Sequence, residues 1–287
     1  IFLGKMKFIG LDIGGTKILA AIANPEGKII KQLYRETPIS LTDGLKVLDD
    51  IINELSCGER ISGIGIAIGG PLDHEKGIVS PLHQPEWRNV PLKQIMEDRW
   101  HCPVYIDVDT NVAALGEYRL TNEKFKRFLY LTISTGMGGG FILNGKIYRG
   151  SNGIHPEPGH ISINYRCLKL DNLKCECGVT DCLEALISGN GIKRIYGKSP
   201  ENLSEYEWEE VAYNLGQGLR NMVVLYAPDI ISLGGGISYY RGERLLLPAQ
   251  KYMLEHIKLV KPPILRISPF GYETALLGAI NIAINGL

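Results

Sequence analysis

A chain of 287 residues with 45% apolar side chains is long enough for one large or two medium domains with buried cores. Its 31 basic and 31 acidic side chains balance, so no charge excess points to nucleic acid or to an anionic membrane. No uninterrupted apolar run approaches the roughly 20 residues that span a bilayer, and residues 1–5 have neither the charged nor the apolar region of a signal peptide. A soluble cytoplasmic protein is expected. Because the chain opens without Met, Met6 is read as the natural start and residues 1–5 are left out of the fold argument.

From the N-terminus, residues 7–11 read as a strand that runs into Asp12-Ile13-Gly14-Gly15-Thr16-Lys17, and residues 18–23 read as its apolar return. Residues 44–55 place Leu45, Leu48, Ile51, Ile52 and Leu55 on one helical face. A second apolar run, 64–68, ends in Gly69-Gly70, and residues 107–112, Asp-Val-Asp-Thr-Asn-Val, lead into an alanine-rich helix. Residues 128–133 then repeat the opening pattern: strand, glycine turn (Ser134-Thr135-Gly136-Met137-Gly138-Gly139-Gly140), strand at 141–143. This recurrence, half a chain apart, hints at a duplication with two similar halves. Residues 208–226 form a helix with Val211, Leu215, Leu219, Met222, Val223 and Tyr226 on one face, 230–233 form a strand before Gly234-Gly235-Gly236, and 274–284 form a buried helix. Strands alternating with helices predict an α/β fold. The division is placed by function near residue 111, giving 6–110 with 273–287 as one domain and 111–272 as the other.

A glycine pair at a strand end lets main-chain N–H groups approach a ligand without Cβ obstruction. By itself Gly14-Gly15 reads as a tight hairpin more readily than as a nucleotide site. The chain has no Gly-x-x-x-x-Gly-Lys-Ser/Thr string, and the residues after Gly15 are strand-like, which argues against a P-loop and a dinucleotide fingerprint. In the phosphate reading Asp12 holds Mg²⁺ through water, while Thr16, Lys17 and the amides of Gly14 and Gly15 face the phosphates. Thr135 and Gly136 serve the same end in the second turn. Phosphoryl transfer to an alcohol needs a carboxylate to take the hydroxyl proton, and Asp107 and Asp109 both offer one. The alternative for each is a solvated turn residue or a helix N-cap. Of six cysteines, Cys57 and Cys102 are isolated. Cys175, Cys177 and Cys182 with His160 make the three-thiolate, one-imidazole set of a closed structural Zn²⁺ site, with buried or free thiols as the alternative. Cys167 is expected to bind no metal.

Asp12 to Lys17, Asp109-x-Asn111 with Ala113-Ala114-Leu115-Gly116-Glu117, the second glycine turn, Glu157-Pro158-Gly159-His160, and Cys175-x-Cys177-Gly178 with Cys182-Leu183-Glu184 occur in one order. In that order the chain resembles the ROK family of sugar kinases and repressors, from Met6 to the C-terminal helix. The resemblance implies the actin-like, ribonuclease H-like ATPase fold, two α/β domains around a cleft for ATP and sugar. It implies Asp109 as the base, Gly70, Asn89, Asp109, Glu157, His160 and Glu184 as sugar ligands, and Gly234, Gly235 and Gly236 against the adenosine. The zinc would fix His160 and the segment that ends at Glu184. Family habit points to a homodimer.

One position departs from the pattern. Many ROK kinases carry Asn before the catalytic Asp, where this chain has Val108. Asp107-Val108-Asp109 and His155-Pro156-Glu157 resemble the fructokinase branch, while the cysteine knuckle resembles the glucokinase branch. The expected activity is ATP- and Mg²⁺-dependent transfer of the γ-phosphate to a hexose hydroxyl, the 6-OH as in a glucokinase, with a small-molecule sugar as partner. The alternatives are a fructokinase of the same family and a sugar-responsive repressor. The repressor is disfavoured because only eleven residues precede Asp12, too few for a helix-turn-helix, and no basic patch replaces one.

Overall fold

The computed structural model describes residues 6–122, 124–167 and 173–287. The signal-peptide reading of residues 1–5 falls outside them. The described chain divides into two compact units, one of residues 6–122, 151–153 and 273–287, the other of 124–150 and 154–272.

The first unit opens with β1 (Phe8–Ile13), β2 (Lys17–Ala23), β3 (Ile29–Glu36), α1 (Leu41–Ser56) and β4 (Gly63–Ile68). A short ribbon of β5 (Leu72–Asp73) and β6 (Ile78–Val79) precedes α2 (Leu92–Trp100), β7 (Val104–Val108) and α3 (Asp109–Leu120). The second unit begins with β8 (Arg127–Ile133), β9 (Met137–Leu143), β10 (Lys146–Ile147), α4 (Leu183–Ile187) and α5 (Gly189–Tyr196). It continues through α6 (Glu205–Tyr226), β11 (Ile230–Gly234), α7 (Gly236–Arg241), α8 (Glu243–Glu255) and β12 (Ile264–Ile267). The last helix, α9 (Thr274–Asn285), returns to the first unit.

The repeat visible in the sequence is a repeat of topology. One sheet has the order β3-β2-β1-β4-β7 and the other β10-β9-β8-β11-β12. In both, the first three strands of the unit pair antiparallel and the last two add in parallel. Strands β4 and β11 are buried along their whole length, which is why they read as mainly apolar runs, with the small Ser232 the one polar residue of β11, rather than as alternating ones.

In the first unit, Ile9, Leu11, Ile64 and Ile66 pack with Leu48, Ile51 and Ile52 of α1 and with Trp87. Helix α1 starts where the Ser40 side chain accepts from the Asp43 amide and stops at Cys57 in the left-handed conformation. Helix α9 covers the sheet elsewhere, its Leu276 and Ile280 meeting Ala21 and Ala23. It lies close against β4 and α3: a Cβ on Gly65 would fall 1.9 Å from the carbonyl oxygen of Ala279, and one on Gly116 would fall 2.3 Å from the Cα of Gly278. Because α3 packs along α9, the first unit runs past residue 110 to Asn122, and residues 151–153 join it where Gly153 meets the His74 ring. The second core gathers Leu129, Leu131, Ile231 and Leu233 of the sheet with Leu215, Leu219 and Met222 of α6 and Met253 of α8. Helix α6 begins in a capping box between Ser204 and Glu207. Among the described residues no helix is long and apolar enough to cross a membrane.

Candidate active site

In the first unit the Gly14-Gly15 turn is both things its sequence allowed. It closes the β1–β2 hairpin, with the Gly14 amide donating to the Lys17 carbonyl at 2.9 Å, and it leaves Gly15, Thr16 and Lys17 exposed. Its shape is fixed from outside: the Gly14 carbonyl accepts from Thr37 Oγ1 at 2.8 Å and from Nε2 of the buried Gln84 at 2.9 Å. Neither residue carried a signal in the sequence. The segment from Gly70 to Asn89 folds beside this turn, since a Cβ on Gly15 would lie 2.7 Å from the Cβ of His83. Gly70 accepts from the Leu82 amide at 3.1 Å, and the Asn89 amide donates to Ser80 Oγ at 2.9 Å. Arg88 closes the loop by donating to the carbonyls of Ser80 and Pro81.

The two aspartates at the β7–α3 junction part company. Asp107, which the sequence left as a competitor for the base or a solvated turn residue, is fully buried. Its Oδ1 accepts from the Val108 amide at 2.7 Å and from Asn111 Nδ2 at 3.0 Å, so it braces the first turn of the helix. Asp109 is the first residue of α3 rather than its cap, half-buried, with Oδ1 accepting from the Thr110 amide at 2.7 Å.

Asp12, at the end of β1, lies within electrostatic reach of Asp109. Burial, then the Asp109 charge, push the Asp12 carboxyl up from 3.8 to about 7, with Lys17 pulling the other way. A half-buried carboxylate facing a second one is costly to ionise without a cation, which is the character of a divalent-cation site. The shift also affects stability through proton linkage. Well below pH 3.8 both folded and unfolded Asp12 are protonated; between 3.8 and about 7 the folded form keeps a proton that the unfolded form has lost, so stability falls as pH rises, and above 7 the whole penalty is present. In magnesium-free buffer Asp12→Asn is therefore expected to melt higher than wild type above pH 7, with the gain disappearing below pH 3.8 and narrowing when Mg²⁺ is added. Parallel melting curves across that range would refute the assignment.

In the second unit the turn after β8 is held by its neighbours. The Ser134 amide donates to the Gly136 carbonyl at 2.9 Å, while the amides of Gly189 and Asn190 at the start of α5 donate to the Ser134 and Thr135 carbonyls at 2.7 and 3.0 Å. Gly235, at φ 83°, adjoins the same strand end: a Cβ there would fall 2.5 Å from the Ile133 carbonyl oxygen, so no side chain fits. Gly234, Gly235 and Gly236 thus lie beside the turn that carries Thr135 and Gly136.

Glu184 links this turn to the cysteine cluster. Its Oε2 accepts from the Met137 amide at 2.8 Å, and its Oε1 lies 3.6 Å from Cys175 Sγ. His160 closes a short helical turn, Pro158–His160, and its amide donates to the Glu157 carbonyl at 3.1 Å. Glu157 is half exposed and pairs with His155 Nε2 at 3.1 Å. Glu157, His160 and Glu184 are therefore neighbours through the backbone and the cluster, as a shared ligand set requires.

One ligand atom from each of His160, Cys175, Cys177 and Cys182 lies within 4.8 Å of every other. His160 Nδ1 stands 3.6 Å from Cys175 Sγ and 3.9 Å from Cys182 Sγ, and Cys177 Sγ is 3.9 Å from Cys182 Sγ. Tetrahedral Zn²⁺ with its usual bond lengths needs ligand separations of about 3.5–3.8 Å, so the set fits the ion with little adjustment. The thiols of Cys175 and Cys182 are pushed up by burial, so a metal bound there must displace their protons. Cys167 lies outside the set.

Two units of one repeated topology, each with a hairpin closed by a glycine turn, have the actin-like, ribonuclease H-like ATPase fold. The sequence matches the ROK family over residues 8–285. It is 30% identical to the glucokinase of Thermotoga maritima over 315 residues, covering 97% of each chain. Among solved structures, a ROK hexokinase from Thermus thermophilus is similar with a TM-score of 0.82 and 30% identity, over 97% of this chain and 98% of that one. A ROK family glucokinase from Streptomyces griseus in complex with glucose and AMPPNP gives 0.80 and 28%, over 98% of this chain and all of the other. The chain belongs to the ROK family.

Proposed function

We propose that this protein is an ATP-dependent hexose kinase that transfers the γ-phosphate to a primary hydroxyl, the 6-OH of a glucose-type sugar, with Asp109 taking the hydroxyl proton. The observation that carries the reading is the pairing of Asp109, at the mouth of α3, with Asp12, at the end of β1, close enough to shift its ionisation. One carboxylate is the base, and the other meets the cation. The glucokinase and hexokinase relatives support the substrate class.

The residues divide the work. Gly14, Gly15, Thr16 and Lys17 in one turn, and Thr135 and Gly136 in the other, bind phosphate; Gly234, Gly235 and Gly236 lie along the nucleoside. Asp12 would hold Mg²⁺, which when bound would offset the negative charge on the transferring phosphates. Gly70, Asn89, Glu157, His160 and Glu184 hold the sugar, with Asp109 at the reacting hydroxyl. His160 turns Nδ1 to the thiols, which leaves Nε2 for a hydroxyl. A zinc held by His160, Cys175, Cys177 and Cys182 would have no open position, so its part would be to hold His160 and Glu184 in place.

A coupled assay for ADP with Mg²⁺-ATP and glucose, mannose, fructose and N-acetylglucosamine tests this. Glucose-dependent ADP formation is expected; no sugar-dependent turnover on any of the four would overturn it. Selectivity is tested at Val108, which is buried, with 5% exposure, at the end of β7. An amide there that bonds a sugar hydroxyl discriminates against sugars lacking it, so Val108→Asn is expected to raise the glucose-to-fructose ratio of kcat/KM about tenfold or more. An unchanged ratio would move attention to His155 and Asn89.

A further inference from the structure

The second unit exposes two aromatic rings that its core does not use. Tyr239, in α7, and Tyr272, after β12, are 56% and 57% exposed, yet their ring centroids stand 5.1 Å apart at 64°. Each ring is seated on a glycine: the Tyr272 ring lies 3.0 Å from where a Cβ on Gly236 would stand, and the Tyr239 ring 3.2 Å from the same point on Gly271, which has φ 55°. Two phenol rings held edge to face against bare backbone make a corner with an open face on each side.

The position of this corner gives it a use. Strands β8, β11 and β12 run parallel, and ligands in such sheets lie beyond the C-terminal strand ends. The end of β8 carries the Ser134–Gly136 turn, the end of β11 carries Gly235 against Thr132 and Ile133 just before that turn, and the chain after β12 supplies Tyr272 against Gly236. A nucleotide whose phosphates rest on the first has its nucleoside at the second and its base at the third. We propose that Tyr239 and Tyr272 form the stacking platform for the donor's purine ring, and so set the protein's preference for a nucleoside triphosphate over a donor without a base. The inference rests on the kinase reading and names the residues that hold the donor's base in it.

Base–aromatic stacking is lost when the ring is removed but not when only the hydroxyl is. Calorimetric titration of wild type, Tyr239→Ala, Tyr272→Ala and Tyr272→Phe with Mg²⁺-ATP, and separately with magnesium tripolyphosphate, reads the difference. Each alanine variant is expected to raise the Kd for ATP about 5- to 100-fold, while tripolyphosphate binds all four proteins alike and Tyr272→Phe keeps wild-type affinity. ATP affinity unchanged in both alanine variants, or lost in parallel with tripolyphosphate affinity, overturns the platform and leaves the kinase reading standing. A wild-type protein that binds no ATP and phosphorylates no sugar overturns the kinase reading, and the platform with it.

Discussion

Asp109→Asn is expected to lower kcat by about 10²- to 10⁴-fold while the Kd for sugar moves only a few-fold. The amide has the carboxylate's shape, and its oxygen still accepts from the Thr110 amide as Asp109 Oδ1 does at 2.7 Å, so the start of α3 survives. What disappears is the capacity to take a proton in the transition state. The same change has a second readout that a purely structural role would not give. With one of the charges that raise Asp12 removed, Asp12 titrates lower than about 7, and the loss of stability between pH 4 and 7 becomes shallower. Asp107→Asn is the matched control, because its side-chain oxygen keeps both bonds that brace the helix; turnover is expected to stay within about tenfold. If Asp107→Asn abolished turnover and Asp109→Asn preserved it, the base would be misassigned.

The second large effect is expected at the cysteines. Elemental analysis should find about one zinc per chain, and Cys182→Ser, at a fully buried ligand, should lose it. Loss of a structural metal ranks among the few causes of destabilisation above about 4 kcal/mol, which corresponds to a fall in Tm on the order of 10 °C. Activity should change in a particular pattern. Cys175 contacts Glu184, which in turn accepts from the Met137 amide at the edge of the second phosphate turn, so the KM values for sugar and ATP should both rise. A zinc-free wild-type protein with full activity and an unchanged melting curve would dispose of the structural ion.

The sequence made the repeated strand–glycine–strand units plain because their central strands are buried on both faces and are mainly apolar. Strand β3 was not visible: Ile-Ile-Lys-Gln-Leu-Tyr-Arg-Glu is a largely exposed edge without clean alternation. The cysteine cluster could be read because its three thiols are close in sequence and few other uses explain them. The division near residue 111 could not, because what carries the first unit to Asn122 is the contact of α3 with a helix at the other end of the chain. Asp107 and Asp109 look equivalent as letters. Only the turn from strand to helix sends one into the core and leaves the other half open. Gln84, Thr37 and the Tyr239–Tyr272 corner were invisible for a related reason, since each acts through a partner distant in sequence.

The placement of α9 has a consequence for how the protein is made. The strands of the first sheet are made before the second unit, but the helix that covers Gly65 and seats on Gly116 is translated only after it. At ordinary elongation rates the intervening residues take roughly 10–30 s to appear. By the end of that interval the second unit has every strand and helix it needs, while the first has waited with one face of its sheet uncovered, including Ala21 and Ala23. The order of completion is thus the reverse of the order of synthesis, and the nascent first unit is the stage at which a chaperone that recognises apolar sheet surface has something to hold.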